Sequence, residues 1–248
     1  MPSTFSPATM TTPMTTSTSP RFSSNDLAWS IEAGASCCQV RSTTVDDGDF
    51  AIGRPAAELE TLRRDVVDLD WSWVRQVHGT QVVRVGSPGE AAGVEADGLF
   101  TSEPGCAIAV TTADCAPLVL VGSDAVAVVH AGWRGALAGV VTVAAEQLRT
   151  LGAEPVASIL GPCIGPENYE FGAADLDSMS RRFGSEVVGR TADGQPALDM
   201  SAVVGAACEG AGWPRPNQPL CTSGEHFFSH RTRADVGRQT TVAWLEPR

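Results

Sequence analysis

Residues 107–131 read AIAVTTADCAPLVLVGSDAVAVVHA, and the order of elements in this stretch decides the fold. Three apolar runs, 107–112, 117–121 and 125–131, follow one another with few polar interruptions. Runs that do not alternate apolar with polar residues belong to strands covered on both faces. The third run ends at His130-Ala131 and passes through Gly132-Trp133-Arg134-Gly135 into an Ala- and Val-rich segment, 135–151, closed by Gly152. That segment has the composition of a buried helix with a glycine C-terminal cap. A buried strand, a glycine-framed turn and a helix in that order predict a sheet with a helix packed across it.

Working outward towards the N-terminus, 71–85 reads as strand broken at His78-Gly79, with β-branched Val82, Val83 and Val85. Ala96-Asp97-Gly98 reads as a turn, and 55–67 as a helix with Leu59, Leu62 and Val66 at helical spacing. A first strand is expected at 28–31 and an irregular loop at 36–49. Residues 1–24, rich in Ser, Thr, Pro and Met, lack the basic and apolar regions of a signal peptide and are expected to be a disordered tail. Towards the C-terminus, 156–160 reads as another buried strand, 176–183 and 201–211 as helices with Ser201 as N-cap, and 221–223, 227–229 and 240–245 as strands. There are no internal repeats. The expectation is a single mixed α/β domain over 25–248.

Composition narrows the chemistry. The chain has 248 residues, 43% of them hydrophobic, so a sizeable core is available. Its 29 acidic residues against 17 basic ones give a net charge of −12, which disfavours nucleic acid and anionic membranes as partners. All 17 basic residues are Arg, which excludes a Schiff-base lysine, a Walker-type lysine and a lysine general base. The four histidines are too few for a multicopper centre. The seven cysteines follow no regular spacing and do not form a secreted disulfide framework. With no apolar run long enough to cross a bilayer, a cytoplasmic protein with reduced thiols is expected.

Five stretches carry candidate chemistry. His78 followed by Gly79 sits at a strand end where a sharp turn exposes the imidazole, or is a hydrogen-bonded structural histidine. Cys115 precedes Pro117, whose missing N–H interrupts the ladder and leaves a thiol at a strand terminus; a buried structural cysteine is the alternative. Asp114, its neighbour, reads as a turn or supporting residue rather than a ligand. Gly132 to Gly135 combines close backbone approach, a helix start and the bidentate fork of Arg134, all suited to an anion; a surface ion pair is the plain alternative for Arg134. Gly161-Pro162-Cys163-Ile164-Gly165-Pro166 is a rigid loop after a buried strand. His226-Phe227-Phe228-Ser229-His230-Arg231 offers stacking rings beside cations, or ordinary core packing. His78, Cys115 and His130 taken together are good zinc ligands and leave a fourth position open, although their long, irregular gaps give no spacing signature.

In order and spacing, Gln76-Val77-His78-Gly79, Thr112-Ala113-Asp114-Cys115-Ala116-Pro117, Val129 to Gly135, Gly161 to Gly165 and Phe227-Phe228-Ser229 resemble the laccase-domain or YfiH-like family, also known as polyphenol oxidases and as purine nucleoside phosphorylases. The resemblance spans about residues 71–245. It implies an α+β domain built as an αββα sandwich with mixed sheets, and a zinc ion on His78, Cys115 and His130. Copper, carried by the older family label, is the disfavoured metal on the histidine count. The implied reactions are phosphorolysis of adenosine, inosine and methylthioadenosine, and adenosine deamination, so the expected partners are purine nucleosides and phosphate. His78, Cys115, His130 and Arg63 are the expected catalytic residues; Arg134, Gly132, Gly135, Cys163 and Phe228 are expected to bind substrate. A monomer is expected. The chain departs from the family at 29–36, where a Thr-Thr-Arg-x-Gly-Gly-Val-Ser type segment is replaced by WSIEAGAS, and at His230, where the family has a different aromatic residue. A Cys-His hydrolase with Cys115 as nucleophile, and a non-catalytic purine- or metal-binding protein, are the competing functions.

Overall fold

The computed structural model describes residues 27–248, so the tail read over 1–24 lies outside the described residues. The chain runs β1 (Ala28–Ala33), β2 (Ser36–Ser42), α1 (Ala56–Val66), β3 (Trp71–Arg75), β4 (Val82–Arg84), β5 (Val94–Glu95), β6 (Gly98–Thr101), β7 (Ala107–Thr112), β8 (Ala116–Gly122), β9 (Ala125–Ala131), α2 (Trp133–Ala138), α3 (Val140–Thr150), β10 (Pro155–Leu160), α4 (Ala173–Phe183), β11 (Val188–Arg190), β12 (Pro196–Leu198), α5 (Met200–Gly210), α6 (His230–Arg233) and β13 (Gln239–Pro247). Six strands form one sheet in the order β1-β2-β13-β7-β3-β5, five form a second in the order β10-β8-β9-β6-β4, and β11 pairs with β12 alone. Both large sheets are mixed: β3 runs parallel to β7 and β5, and β4 parallel to β6, while the other pairings are antiparallel.

The two-residue period of the strands sorts their side chains into three apolar layers. Val119, Val121, Val126 and Val128 from the five-stranded sheet meet Cys38, Val40, Ile108, Val110, Ala243 and Leu245 from the six-stranded one. The alternate residues Leu118, Leu120, Ala127 and Val129 turn the other way and pack under α2, α3 and α5. On the far face of the six-stranded sheet, Trp71, Ala109, Val242 and Trp244 are covered by Leu62 and Val66 of α1. The result is the αββα sandwich, and it explains why 107–131 is apolar without alternation: these strands are buried on both faces.

Several local expectations are corrected. The segment 36–42 is strand β2, not loop; its buried face is Ser36, Cys38, Val40 and Ser42, a period-two pattern disguised by small polar residues. The helix expected over 135–151 breaks at Gly139, whose φ of 104° lies in the left-handed region, into α2 and α3. The N-cap of α5 is Asp199, which accepts from the Ala202 N–H, rather than Ser201. Residues 227–229 form no strand: Ser229 instead caps α6, accepting from the Thr232 N–H. Cys221 makes only an isolated bridge, to Cys163.

Candidate metal centre and active site

The three candidate ligands arrive from the facing ends of the two large sheets. His78 lies in the loop that leaves β3, Cys115 in the tight connection from β7 to β8, and His130 is the penultimate residue of β9. Two of the connections are conformationally unusual for residues with side chains: His78 has φ 59° and Asp114 has φ 92°. Left-handed backbone at non-glycine positions is costly and persists where surroundings over-determine it. Here the surroundings do so. The Gln76 amide bonds the Thr111 carbonyl and also accepts from Thr111, tying the end of β3 to the end of β7. Asp114 accepts from Thr222 Oγ1 and Ser229 Oγ at 2.7 Å each and from the Arg231 N–H at 2.6 Å, so it latches the 222–231 segment to the cysteine loop. Its carboxylate is therefore committed to support, as its sequence context implied.

The donor atoms of His78, Cys115 and His130 all lie within 4.8 Å of one another, and among the described residues they are the only such group of three. Cys115 Sγ is 3.8 Å from His78 Nε2, and the two imidazole rings stand edge to face with centroids 4.8 Å apart. His130 is buried and its Nδ1 lies 2.8 Å from Asp97 Oδ1, which leaves Nε2 as the ligating atom. The same Asp97 carboxylate accepts the N–H groups of His78 at 2.9 Å and Gly79 at 2.6 Å, while the Asp97 carbonyl accepts from His130 N at 2.7 Å. Asp97, fully buried, thus places both histidines. Sequence reading found only a turn there; the signal it lacked is that a carboxylate beside strand β6 with no basic neighbour in sequence needs a distant partner.

The glycines of the 132–135 turn make room for this arrangement. A Cβ on Gly132 would stand 2.7 Å from His78 Cδ2 and 3.5 Å from Cys115 Sγ, and one on Gly135 would stand 2.8 Å from the Gly79 carbonyl oxygen. Both glycines admit the His78-Gly79 loop, and α2, which begins at Trp133, is only six residues long. The donor chemistry, the carboxylate behind His130 and the space left by Gly132 all fit a divalent ion on these three residues.

Electrostatics in the metal-free protein favour a charge pair. Burial works against the Cys115 thiolate, but hydrogen bonds and charge from His130 and His78 outweigh it and pull the thiol well below its ordinary value. Burial also works against His130, yet Asp97 and Cys115 raise it. Burial likewise opposes ionisation of Asp97, but the His130, Gly79 and His78 hydrogen bonds hold its carboxyl below the usual range.

A cavity of about 560 Å³ adjoins the group, lined by His78, Cys115 and His130 together with Gln76, Thr111, Thr112, His230, Arg238 and the loops around Ile52 and Val236. A chain of aromatic and cationic side chains, none of them lining this cavity, runs from Arg134 to Arg231. Arg134 stacks over Trp133 at 4.3 Å, Trp133 meets Phe171 edge-on, Phe171 meets Tyr169, and Arg231 stacks over Tyr169 at 4.6 Å. Burial pushes the Tyr169 phenol up to about 12, with Cys115 and Asp114 adding and the Arg231 and Arg134 charges opposing.

Other expected site residues lie elsewhere. Arg63 stacks over Trp73 at 4.9 Å and does not line the cavity. Cys163 is buried in the core beneath the helices, not on the cavity wall. Phe228 packs its ring against Gly237 and does not line the cavity. The divergent segment 29–36 forms β1, at the edge of the six-stranded sheet, and the turn into β2, and contributes nothing to the cavity wall.

With this geometry in place, comparison with known proteins gives the family. The family described as multi-copper polyphenol oxidoreductase laccase matches residues 42–246. The chain belongs to this family. Among curated proteins it is 38% identical, over 70% of its length and 72% of the relative's, to a purine nucleoside phosphorylase of Mycobacterium bovis. It is 36% identical to one of Streptomyces coelicolor, over 70% of this chain and 74% of that one. Solved structures agree in fold: YfiH of Bacillus licheniformis superposes with a TM-score of 0.73 at 23% identity, covering 86% of this chain and 97% of that one. YlmD of Geobacillus stearothermophilus gives 0.69 at 26%, covering 85% and 92%. No helix among the described residues is long and apolar enough to cross a membrane.

Proposed function

We propose that this laccase-family protein is a zinc-dependent purine nucleoside phosphorylase acting on adenosine, inosine and methylthioadenosine, with adenosine deamination as a second activity of the same centre. The observation that carries the reading is the His78–Cys115–His130 donor set on the wall of a cavity of nucleoside size. The names of the curated relatives support the reaction class.

Phosphorolysis exchanges the glycosidic C–N bond for a C–O bond to phosphate. The C–N electron pair leaves with the purine, which takes up a proton, and a phosphate oxygen supplies the pair for the new bond. Arg134 and Arg231, each held flat against a ring, bind and orient the phosphate. Tyr169 between them keeps its proton and so adds no negative charge near the phosphate. His230, the cavity-lining imidazole outside the donor set, protonates the leaving purine in this reading. When bound on His78, Cys115 and His130, a zinc ion supplies Lewis acidity and acidifies water at its open position. Metal analysis together with product identification tests the proposal. Adenine and ribose 1-phosphate appearing from adenosine only with phosphate support it, inosine appearing without phosphate supports the deaminase activity, and a metal-loaded protein that yields neither overturns both.

One observation favours a second reading. A lowered Cys115 thiol beside His78 and His130, with Asp97 behind His130, is also the arrangement of a Cys-His hydrolase. Hydrolysis that survives chelation and is abolished by alkylation of Cys115 would decide for it.

A further inference from the structure

Of the aliphatic side chains that the fold leaves exposed, two lie at the cavity. Ile52 is 38% exposed and Val236 is 84% exposed, and both line the cavity that His78, Cys115 and His130 adjoin. Single exposed aliphatics are common on protein surfaces. What sets this pair apart is the effort with which their two loops, distant in sequence, are held.

Asp49 ties them together. Its Oδ1 accepts the Ala51 N–H and the Arg238 N–H, each at 2.9 Å, so one carboxylate oxygen holds the backbone beside both aliphatic residues. Phe50, fully buried, roots the first loop in the core, and its N–H donates to the Arg238 carbonyl at 2.9 Å. On the second loop, Arg238 Nη1 donates to the carbonyls of Asp235, Val236 and Gly237 at 3.2, 3.0 and 2.8 Å. Asp235 Oδ2 accepts the Ser229 N–H at 2.9 Å, and Gly237 lies so close to the Phe228 ring that no Cβ fits there. Each neighbour of Val236 is anchored, while its own side chain faces water. A loop held this firmly around an unsatisfied apolar tip is preorganised to contact something apolar.

We propose that Ile52 and Val236 are the specificity-determining contacts for the flat face of a heteroaromatic base, the purine of the nucleoside, and that Asp49 is the residue that positions them. The inference rests on the phosphorylase reading and names the part of the cavity that takes the base. Aliphatic groups suit the π-face of a purine, while the polar wall, with Thr111, Thr112 and His230, suits its edge and the sugar. In that reading phosphate falls to Arg134 and Arg231, neither of which lines this cavity, so the two ligands are separable.

The test uses the full-length chain with Ile52→Ser, Val236→Ser, Asp49→Ala and Asp49→Asn, and measures calorimetric binding of adenine, adenosine and inorganic phosphate. Because Ile52 and Val236 are exposed, their serine variants are expected to keep the wild-type melting temperature. Each is expected to weaken adenine and adenosine about four- to fifteenfold, as loss of one to two buried methylene equivalents does, and to leave phosphate binding unchanged. Asp49→Ala should weaken the base likewise, and Asp49→Asn, which keeps an acceptor oxygen, should restore it. Unchanged adenine and adenosine binding in both serine variants overturns the proposal and leaves the phosphorylase reading standing. Equal weakening of phosphate also overturns it, since the effect would then be general. If the wild-type protein binds neither adenine nor adenosine, the phosphorylase reading fails; indole then serves as the flat probe, and binding that both serine variants weaken supports the contact surface on its own, whereas binding that they leave unchanged overturns it.

Discussion

His130 Nδ1 and Asp97 Oδ1 are 2.8 Å apart at a position with almost no solvent, and the same carboxylate receives the backbone of the loop that carries His78. One buried acid therefore sets the orientation of two candidate ligands drawn from different sheets.

Asp97→Asn keeps one acceptor oxygen but puts an amide NH₂ in place of the other, so either the His130 and His78 N–H groups on Oδ1 or the Gly79 N–H on Oδ2 meet a donor, and the negative charge behind His130 is lost. Metal affinity is expected to fall about ten- to a hundredfold, as is usual when the group behind a ligating histidine is lost. Competition with a chromophoric chelator measures this; wild-type affinity in the variant would remove Asp97 from the positioning role.

Gly132→Ala and Gly139→Ala separate two reasons for glycine. Gly132 has φ −70°, which alanine adopts freely, so its substitution acts only through the contact with His78 Cδ2. Overpacking of this kind costs about 1–3 kcal/mol, and here it is expected to impair metal binding as well. Gly139, at φ 104°, instead faces backbone strain, of about 1–2 kcal/mol, with normal metal binding in the folded protein. Denaturant melts and metal stoichiometry on both variants distinguish the two.

Metal uptake should release a proton. In the metal-free protein Cys115 is shifted towards thiolate and His130 towards imidazolium. A ligating imidazole must be neutral, so near pH 7 binding expels about one proton, from His130 rather than from the thiol. Affinity therefore rises with pH until the raised His130 value is passed, then levels off. Calorimetry in buffers of different ionisation enthalpy measures the release; a proton count near zero at pH 7 would contradict the charge pair.

Arg134→Ala and Arg231→Ala are expected to raise KM for phosphate about ten- to a hundredfold each, the loss typical of a hydrogen bond to a charged group, while KM for the nucleoside changes little. Steady-state kinetics with each substrate varied in turn checks this. Arg63→Ala, whose side chain stacks on Trp73, should leave both constants unchanged.

The strands of 107–131 were legible because burial on both faces writes itself as unbroken apolarity. Strand β2 was not, because Ser36, Cys38 and Ser42 fill a buried face without looking hydrophobic. The three candidate ligands could be picked out by residue type and by the family resemblance, but their meeting is a product of sheet topology that no spacing encodes. Asp97 escaped notice because its partners lie 18, 19 and 33 residues away. Arg63, expected among the catalytic residues, stacks on Trp73 and does not line the cavity, because a helix position alone does not say which face of the sheet the helix covers.

His78 leaves one sheet, His130 ends the other, and Cys115 sits where the chain crosses between them. An ion on these residues works as a rivet through the sandwich, so its grip depends on how far apart the layers stand. Trimming a filler in the gap, such as Ile108 or Val128, should loosen the ion from a distance, and chelation should in turn speed amide exchange along the inner strands.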